Sequence, residues 1–148
     1  MTKTNQVSTE ADCPFCGENV ASKIIKEYGT VIAVRDKYPV TEYHTLVLPR
    51  RHTLDFFSMT PQERRDAEAL ILRLKGDILE TDRSVVGFNV GINCGEAAGQ
   101  TIMHAHVHLI PRRLGDTPNP RGGVWIPDKP FGLSGMTVEG YLVSGPAV

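Results

Sequence analysis

The sequence predicts an α+β domain: an antiparallel sheet of about five strands with one long and one short helix. Three observations carry this. Short runs of β-branched and apolar residues recur between turn signals, one segment has apolar residues at helical spacing, and no linker, repeat or charge block divides the 148 residues. A chain of this length can bury one sizeable core as a single domain.

Residues 1–12 are polar and lack the apolar stretch of a signal peptide, so they are expected to be a disordered or loosely held tail before a domain spanning 13–148. Val20–Ile25 and Val31–Val34 read as strands around a hairpin turn, Glu27-Tyr28-Gly29-Thr30. His44–Leu48 is a third run, stopped by Pro49. A short helical turn fits Leu54–Met59. The long helix starts at Thr60, with Pro61 in its first turn and Glu63 completing a capping box. Ala67, Leu70, Ile71, Leu74 and Ile78 share one face, and Thr81-Asp82 ends the helix. Val85–Ile92 and Met103–Ile110 are the fourth and fifth strand candidates. Residues 111–135, rich in proline and glycine and holding Trp125, are expected to form a long loop.

Sixteen basic against seventeen acidic residues leave a net charge of −1, which offers no electrostatic footprint for nucleic acid or a membrane surface. No apolar run is long enough to span a bilayer. Three cysteines do not make a disulfide framework, and a cytoplasmic location is expected.

All five histidines fall in two clusters: His44 with His52, and His104, His106 and His108 at alternating positions. Alternation is the strand period, so the three imidazoles share a face while Ala105, Val107 and Leu109 point into a core. Two readings suit such a row. A metal could bridge strand imidazoles spaced by ~6.6 Å. Or one neutral imidazole could attack phosphorus and form a P–N bond that water later cleaves. The preceding Asn93-Cys94-Gly95-Glu96-Ala97-Ala98-Gly99-Gln100-Thr101 favours the second. Its glycines let backbone N–H groups curl around an anion, and Asn93, Gln100 and Thr101 add neutral donors for phosphoryl oxygens.

The segment Gly99-Gln100-Thr101-Ile102-Met103-His104-Ala105-His106-Val107-His108-Leu109-Ile110-Pro111 resembles the signature of the histidine triad (HIT) family of nucleotide hydrolases and transferases. Asn93-x-Gly95 and His44-Thr45-Leu46-Val47-Leu48-Pro49-Arg50-Arg51-His52 extend the resemblance. Cys13-Pro14-Phe15-Cys16 is similar to the opening of zinc-containing bacterial members, the type that resembles diadenosine polyphosphate hydrolases. One departure is Tyr43, where the family often has glycine.

The resemblance implies a role for each matching position. His106 would be the nucleophile at the α-phosphorus, and His108 would contact phosphate. Gln100 and Thr101 would bind the bridging oxygen and α-phosphate, with Asn93 and Gly99 also at the nucleotide. Asp36 would hold the ribose hydroxyls, Phe15 and Val34 would line the base pocket, and His44 would support the triad. Asp36 could also simply cap a turn, and His44 could be a buried structural histidine. Cys13, Cys16, His52 and His104 would bind a structural zinc, with a redox dithiol as the competing reading of the two cysteines.

The expected function is cleavage at the α-phosphate of a diadenosine polyphosphate, nucleoside phosphoramidate or adenylylated compound, by a homodimer that needs no redox cofactor. A nucleotide-binding module with little turnover and a hydrolase using all three histidines as zinc ligands are the alternatives.

Overall fold

The computed structural model describes residues 10–121. The tail before residue 10, Trp125 and the part of the expected loop after residue 121 lie outside the described residues. In chain order the regular elements are α1 (Gly17–Ala21), β1 (Ile24–Tyr28), β2 (Val31–Arg35), β3 (Thr45–Pro49), α2 (Pro61–Thr81), β4 (Val85–Gly91) and β5 (Val107–Arg113). Single 3₁₀ turns stand at Phe56–Ser58 and Glu96–Ala98. The strands form one antiparallel sheet in the order β1-β2-β3-β5-β4.

The predicted architecture holds, and several boundaries move. Val20 belongs to α1 rather than to the first strand, which begins at Ile24 and runs through Tyr28. A helix of five residues is too short for periodicity to reveal it. The short helical turn expected near Leu54–Met59 is the 3₁₀ turn Phe56–Ser58, capped by the Asp55 carboxylate. Pro49 closes β3 from inside it, opposite Val31. The last strand starts at Val107, not Met103, and continues through Pro111 to Arg113. Before Val107 the backbone bonds elsewhere: the Ala105 N–H donates to the Thr53 carbonyl, 2.7 Å away, so the β3 ladder begins only at Val47 opposite Val107.

Alternation sorts the central strands into two cores. Val31 and Ala33 of β2, Val47 of β3, and Ala105, Val107 and Leu109 pack against Ala67, Leu70, Leu74 and Ile78 of α2. Ile32, Val34, Leu46 and Leu48 face the other way and are covered by Cys13, Phe15, Cys16 and Val20. The N-terminal arm is therefore half of the second core. Truncating a fully buried member such as Leu70 to alanine costs about 2–5 kcal/mol.

Helix α2 carries the expected cap: the Thr60 hydroxyl accepts from the Glu63 N–H and the Glu63 carboxylate accepts from the Thr60 N–H. Glu63 also accepts from Arg51, 2.8 Å away, tying the helix start to the segment that holds His52. One turn later the buried Asp66 carboxylate accepts from the Thr30 N–H and hydroxyl, at 2.9 and 2.7 Å. Gly29 makes this contact possible. Its φ is +52°, and a Cβ there would stand 2.4 Å from Asp66 Oδ2. Among the described residues no helix is long and apolar enough to cross a membrane.

Candidate active site

Pairing of β5 with β3 sets Leu46 opposite His108, with His44 just before β3. The cluster of Cys13, Phe15, Cys16 and Val20 brings the arm to the same side. The two histidine clusters of the sequence thus meet pairwise, His52 against His104 and His44 against His108.

The three triad imidazoles do not converge on one point. His104 is fully buried, and its Nε2–H donates to the Pro49 carbonyl at 2.7 Å. A carbonyl only accepts, so Nδ1 of His104 carries the lone pair. That atom meets Cys13 Sγ at 3.5 Å, Cys16 Sγ at 3.4 Å and His52 Nδ1 at 3.3 Å; Cys16 Sγ to His52 Nδ1 is 3.2 Å. All four ligand atoms lie within 4.8 Å of one another. A tetrahedral zinc with bonds of about 2.0–2.3 Å sets its ligand atoms roughly 3.3–3.8 Å apart. The donor set and spacing fit such an ion, and the Pro49 carbonyl supplies the outer partner that a ligating imidazole needs. Burial pushes the Cys16 thiol up to about 12, with the hydrogen bond to Cys13 adding to it, which opposes the low-pKa thiolate a redox dithiol uses. A bound cation reverses that preference by stabilising the thiolate.

His106 sits between the two clusters. Its Nδ1–H donates to the His104 carbonyl at 2.7 Å, leaving the lone pair on Nε2. Phe15 packs edge-on against it at 5.3 Å between centroids, and His108 lies 5.1 Å away on another side. Burial holds His106 below the usual imidazole range, so the ring is neutral at pH 7. Val34 lies in the same apolar cluster as Phe15.

His108 meets a separate pair. Its Nδ1 is 2.9 Å from His44 Nε2, and Asp36 Oδ2 is 3.4 Å from His44 Nε2. Burial, then repulsion by His106, brings His44 to about 4. Burial, then His106 and His44, brings His108 to about 3. Asp36 does cap its turn, its Oδ1 accepting from the Tyr38 N–H at 2.8 Å, and its other oxygen faces the histidine pair. Burial raises its carboxyl pKa.

The glycine-rich segment is closed by Gln100. Its Oε1 accepts from the Gly95 N–H at 2.8 Å, and its amide N–H groups donate to the Leu54 carbonyl at 2.6 Å and the Ile102 carbonyl at 3.1 Å. Gln100 is buried, with both amide hydrogens spent inside the protein, so it holds the loop in shape. Gly95 and Gly99, at φ +91° and +92°, give the turn its curl. Gly99 and Thr101 are exposed, and Asn93 reaches the Gly99 carbonyl at 3.5 Å.

Sequence reasoning missed the backbone groups that orient these rings: the carbonyls of Pro49 and His104 and the N–H of Val40, which lies 3.0 Å from His44 Nδ1. Such groups leave no mark in a sequence. Tyr43 had a signal: it takes φ +69°, the left-handed backbone that glycine adopts freely. Its carbonyl accepts from Arg35 at 3.2 Å, and that guanidinium stands 5.2 Å from the ring centroid.

Known proteins resemble this chain in sequence and in fold. The HIT domain family model matches residues 17–115. An uncharacterized HIT-like protein of Mycobacterium tuberculosis is 38% identical over 108 residues, covering 70% of this chain and 74% of that one. The crystal structure of a Zn-bound histidine triad family protein from Mycobacterium smegmatis superposes with a TM-score of 0.67 at 33% identity, covering 75% of this chain and 82% of the other. A bis(5'-nucleosyl)-tetraphosphatase (asymmetrical) of Schizosaccharomyces pombe is 36% identical over 78 residues, 53% of this chain and 42% of that protein.

Proposed function

This chain belongs to the HIT domain family, and we propose that it is a hydrolase or transferase cleaving at the α-phosphate of a nucleoside phosphate derivative through a nucleotidyl group on His106. One observation carries the reading: the His104 carbonyl takes the Nδ1 hydrogen of His106, so a neutral, buried ring keeps its Nε2 lone pair for attack.

In the first step Nε2 of His106 bonds to the α-phosphorus. The bond to the leaving group breaks, and that group departs with the electron pair and takes a proton from solvent. In the second step water attacks phosphorus and gives a proton to solvent, the P–N bond breaks with its electron pair returning to Nε2, and nucleoside monophosphate leaves. If another nucleophile replaces water, the reaction is a transfer. Asn93, Gly99, Thr101 and His108 bind the phosphate oxygens, and Gln100 holds the loop for them. Asp36 takes the ribose, and Phe15 and Val34 form the apolar side of the base site. The S. pombe relative supports a phosphoanhydride substrate of the dinucleoside polyphosphate class, with phosphoramidates and adenylylated compounds as chemical equivalents at the same phosphorus.

Zinc held by Cys13, Cys16, His52 and His104 pins the arm to the strand entry beside His106 and takes no part in the chemistry. The working unit is a cytoplasmic homodimer of a domain spanning 13–148. The exposed Val86 and Val90 on edge strand β4, with Leu72 of α2 exposed as well, support pairing of that edge with a second copy.

The test is incubation with diadenosine tetraphosphate and adenosine phosphoramidate, with product analysis and mass spectrometry of the quenched protein. AMP release and a mass increase of one adenylyl group on the His106 peptide are expected. Equal turnover by His106→Asn excludes the nucleophile.

A further inference from the structure

Strand β2 alternates, so Val31 and Ala33 pack toward α2, and a third side chain, Arg35, follows them onto the same face. There it lines an open cleft of about 170 Å³ between the β1–β2 end of the sheet and the last turns of α2. Ile25, Leu74 and Ile78 supply apolar walls. The Tyr43 ring stands beside Arg35, its centroid 5.2 Å from the guanidinium carbon. That ring is present because a tyrosine, not a glycine, takes the left-handed φ of +69°.

The cleft is separate from the histidines. Tyr43 and Thr45 carry the bonds to Arg35, while His44 between them turns toward His108. It also lies at the opposite end of the sheet from edge strand β4.

The charges around the cleft do not balance. Lys26 pairs with Asp77, which cancels one of each sign. Arg35 spends only Nη1 on the protein, on the Tyr43 carbonyl 3.2 Å away and on the Thr45 hydroxyl. Among the described residues no carboxylate lies within ion-pair distance of it, and its Nε and Nη2 make no hydrogen bond. Burial lowers its pKa, yet a guanidinium stays charged at pH 7.

These features select a ligand. Nε–H and Nη2–H side by side match the two oxygens of a carboxylate. Apolar walls and an aromatic ring suit a carbon ring rather than a second acid group. Helix α2 ends beside the cleft, and the negative end of its dipole disfavours a dianion such as phosphate. The space far exceeds the roughly 10–15 Å³ that one water needs and falls below the ~300 Å³ of drug-sized pockets, so it suits a single ring.

We propose that this cleft binds a small aromatic monocarboxylate, its acid group paired with Arg35 and its ring packed among Tyr43, Leu74 and Ile78. The site is independent of the reaction assigned to His106.

The probe is benzoate, titrated into the full-length protein at pH 7 and constant ionic strength and followed by amide and methyl NMR spectra. Saturable shifts at Ile25, Arg35, Tyr43, Leu74 and Ile78 are expected, with a Kd of about 1–10 mM for so small a body. Benzamide keeps the shape without the charge and should bind at least about tenfold more weakly. Arg35→Gln should weaken benzoate binding by at least about tenfold as well. Tyr43→Gly suits the left-handed backbone and removes the ring, so it should weaken binding severalfold. Shifts that do not saturate by about 50 mM, or saturable shifts centred on His106 and His108, overturn the proposal. Benzamide binding as tightly as benzoate also overturns it, and that comparison uses the parent protein, so it decides even if Arg35→Gln fails to fold. Displacement of benzoate by an equal concentration of inorganic phosphate overturns the monocarboxylate preference. The titration involves no turnover, so its outcome is distinct from that of the His106 experiments.

Discussion

The imidazole of His106 is bonded to the carbonyl of His104, 2.7 Å from Nδ1 and two residues earlier in the same chain. His104 is turned by its own bond to the Pro49 carbonyl. The backbone thus aims one ring at the cysteine cluster and presents the lone pair of the next.

His106→Asn removes the attacking nitrogen without opening the fold, because the apolar cluster that Phe15 forms beside the ring, with Val34 and Leu46, does not include His106 itself. Turnover is expected to drop by at least about 10³-fold. The far-ultraviolet circular dichroism and bound zinc should match the parent protein. A variant with parental kcat means that the reaction runs elsewhere.

Cys13→Ser takes one of two thiolates from the cluster that anchors the arm. Zinc measured by elemental analysis is expected at about one per chain in the parent and near zero in the variant. The melting temperature should fall in step, because Cys13, Phe15, Cys16 and Val20 cover one face of the sheet. A metal-free parent protein, purified without chelator, contradicts the zinc assignment.

Gly29→Ala drives a Cβ into the Asp66 carboxylate from a left-handed backbone position. Loss of about 1–3 kcal/mol is expected in urea unfolding. Asp66→Ala lowers stability at pH 7 by leaving the Thr30 N–H and hydroxyl without their acceptor. Those two bonds depress the Asp66 pKa, so its contribution is present above the unfolded value and fades as pH falls through the folded one. The gap between parent and Asp66→Ala should therefore narrow between about pH 4 and lower values. A gap independent of pH down to 2 argues against this anchor.

Stability should also fall from pH 7 to pH 5. His44 and His108 titrate at about 4 and about 3 when folded, below the ordinary value near 6.5. The unfolded chain binds more protons across that window, so acidification favours it and the full contribution is recovered only above about 6.5. The urea midpoint should be higher at pH 7.5 than at pH 5, and His44→Gln should lessen the difference. An unchanged slope in that variant removes His44 from the explanation.

Much was legible in the chain itself. The capping box of Thr60 and Glu63 and the 3.6-residue rhythm from Ala67 to Ile78 specify α2 through local chemistry. Alternation sends Ala105, Val107 and Leu109 to one core and the histidines to the other side, although the last strand begins only at Val107. Helix α1 was hidden because one buried residue, Val20, gives no period. The onset of β5 was hidden because Ala105 spends its N–H on Thr53, a partner 52 residues away.

The sequence by itself determined which chemistry was possible: five imidazoles, two paired thiols and a glycine loop, on a sheet whose pattern forces them to one side. Only the tertiary structure decided which nitrogen of His44, His104 and His106 is bare. That choice belongs to the carbonyls of Pro49 and His104 and the amide of Val40, groups present in nearly every residue and selected purely by where the folded backbone sets them.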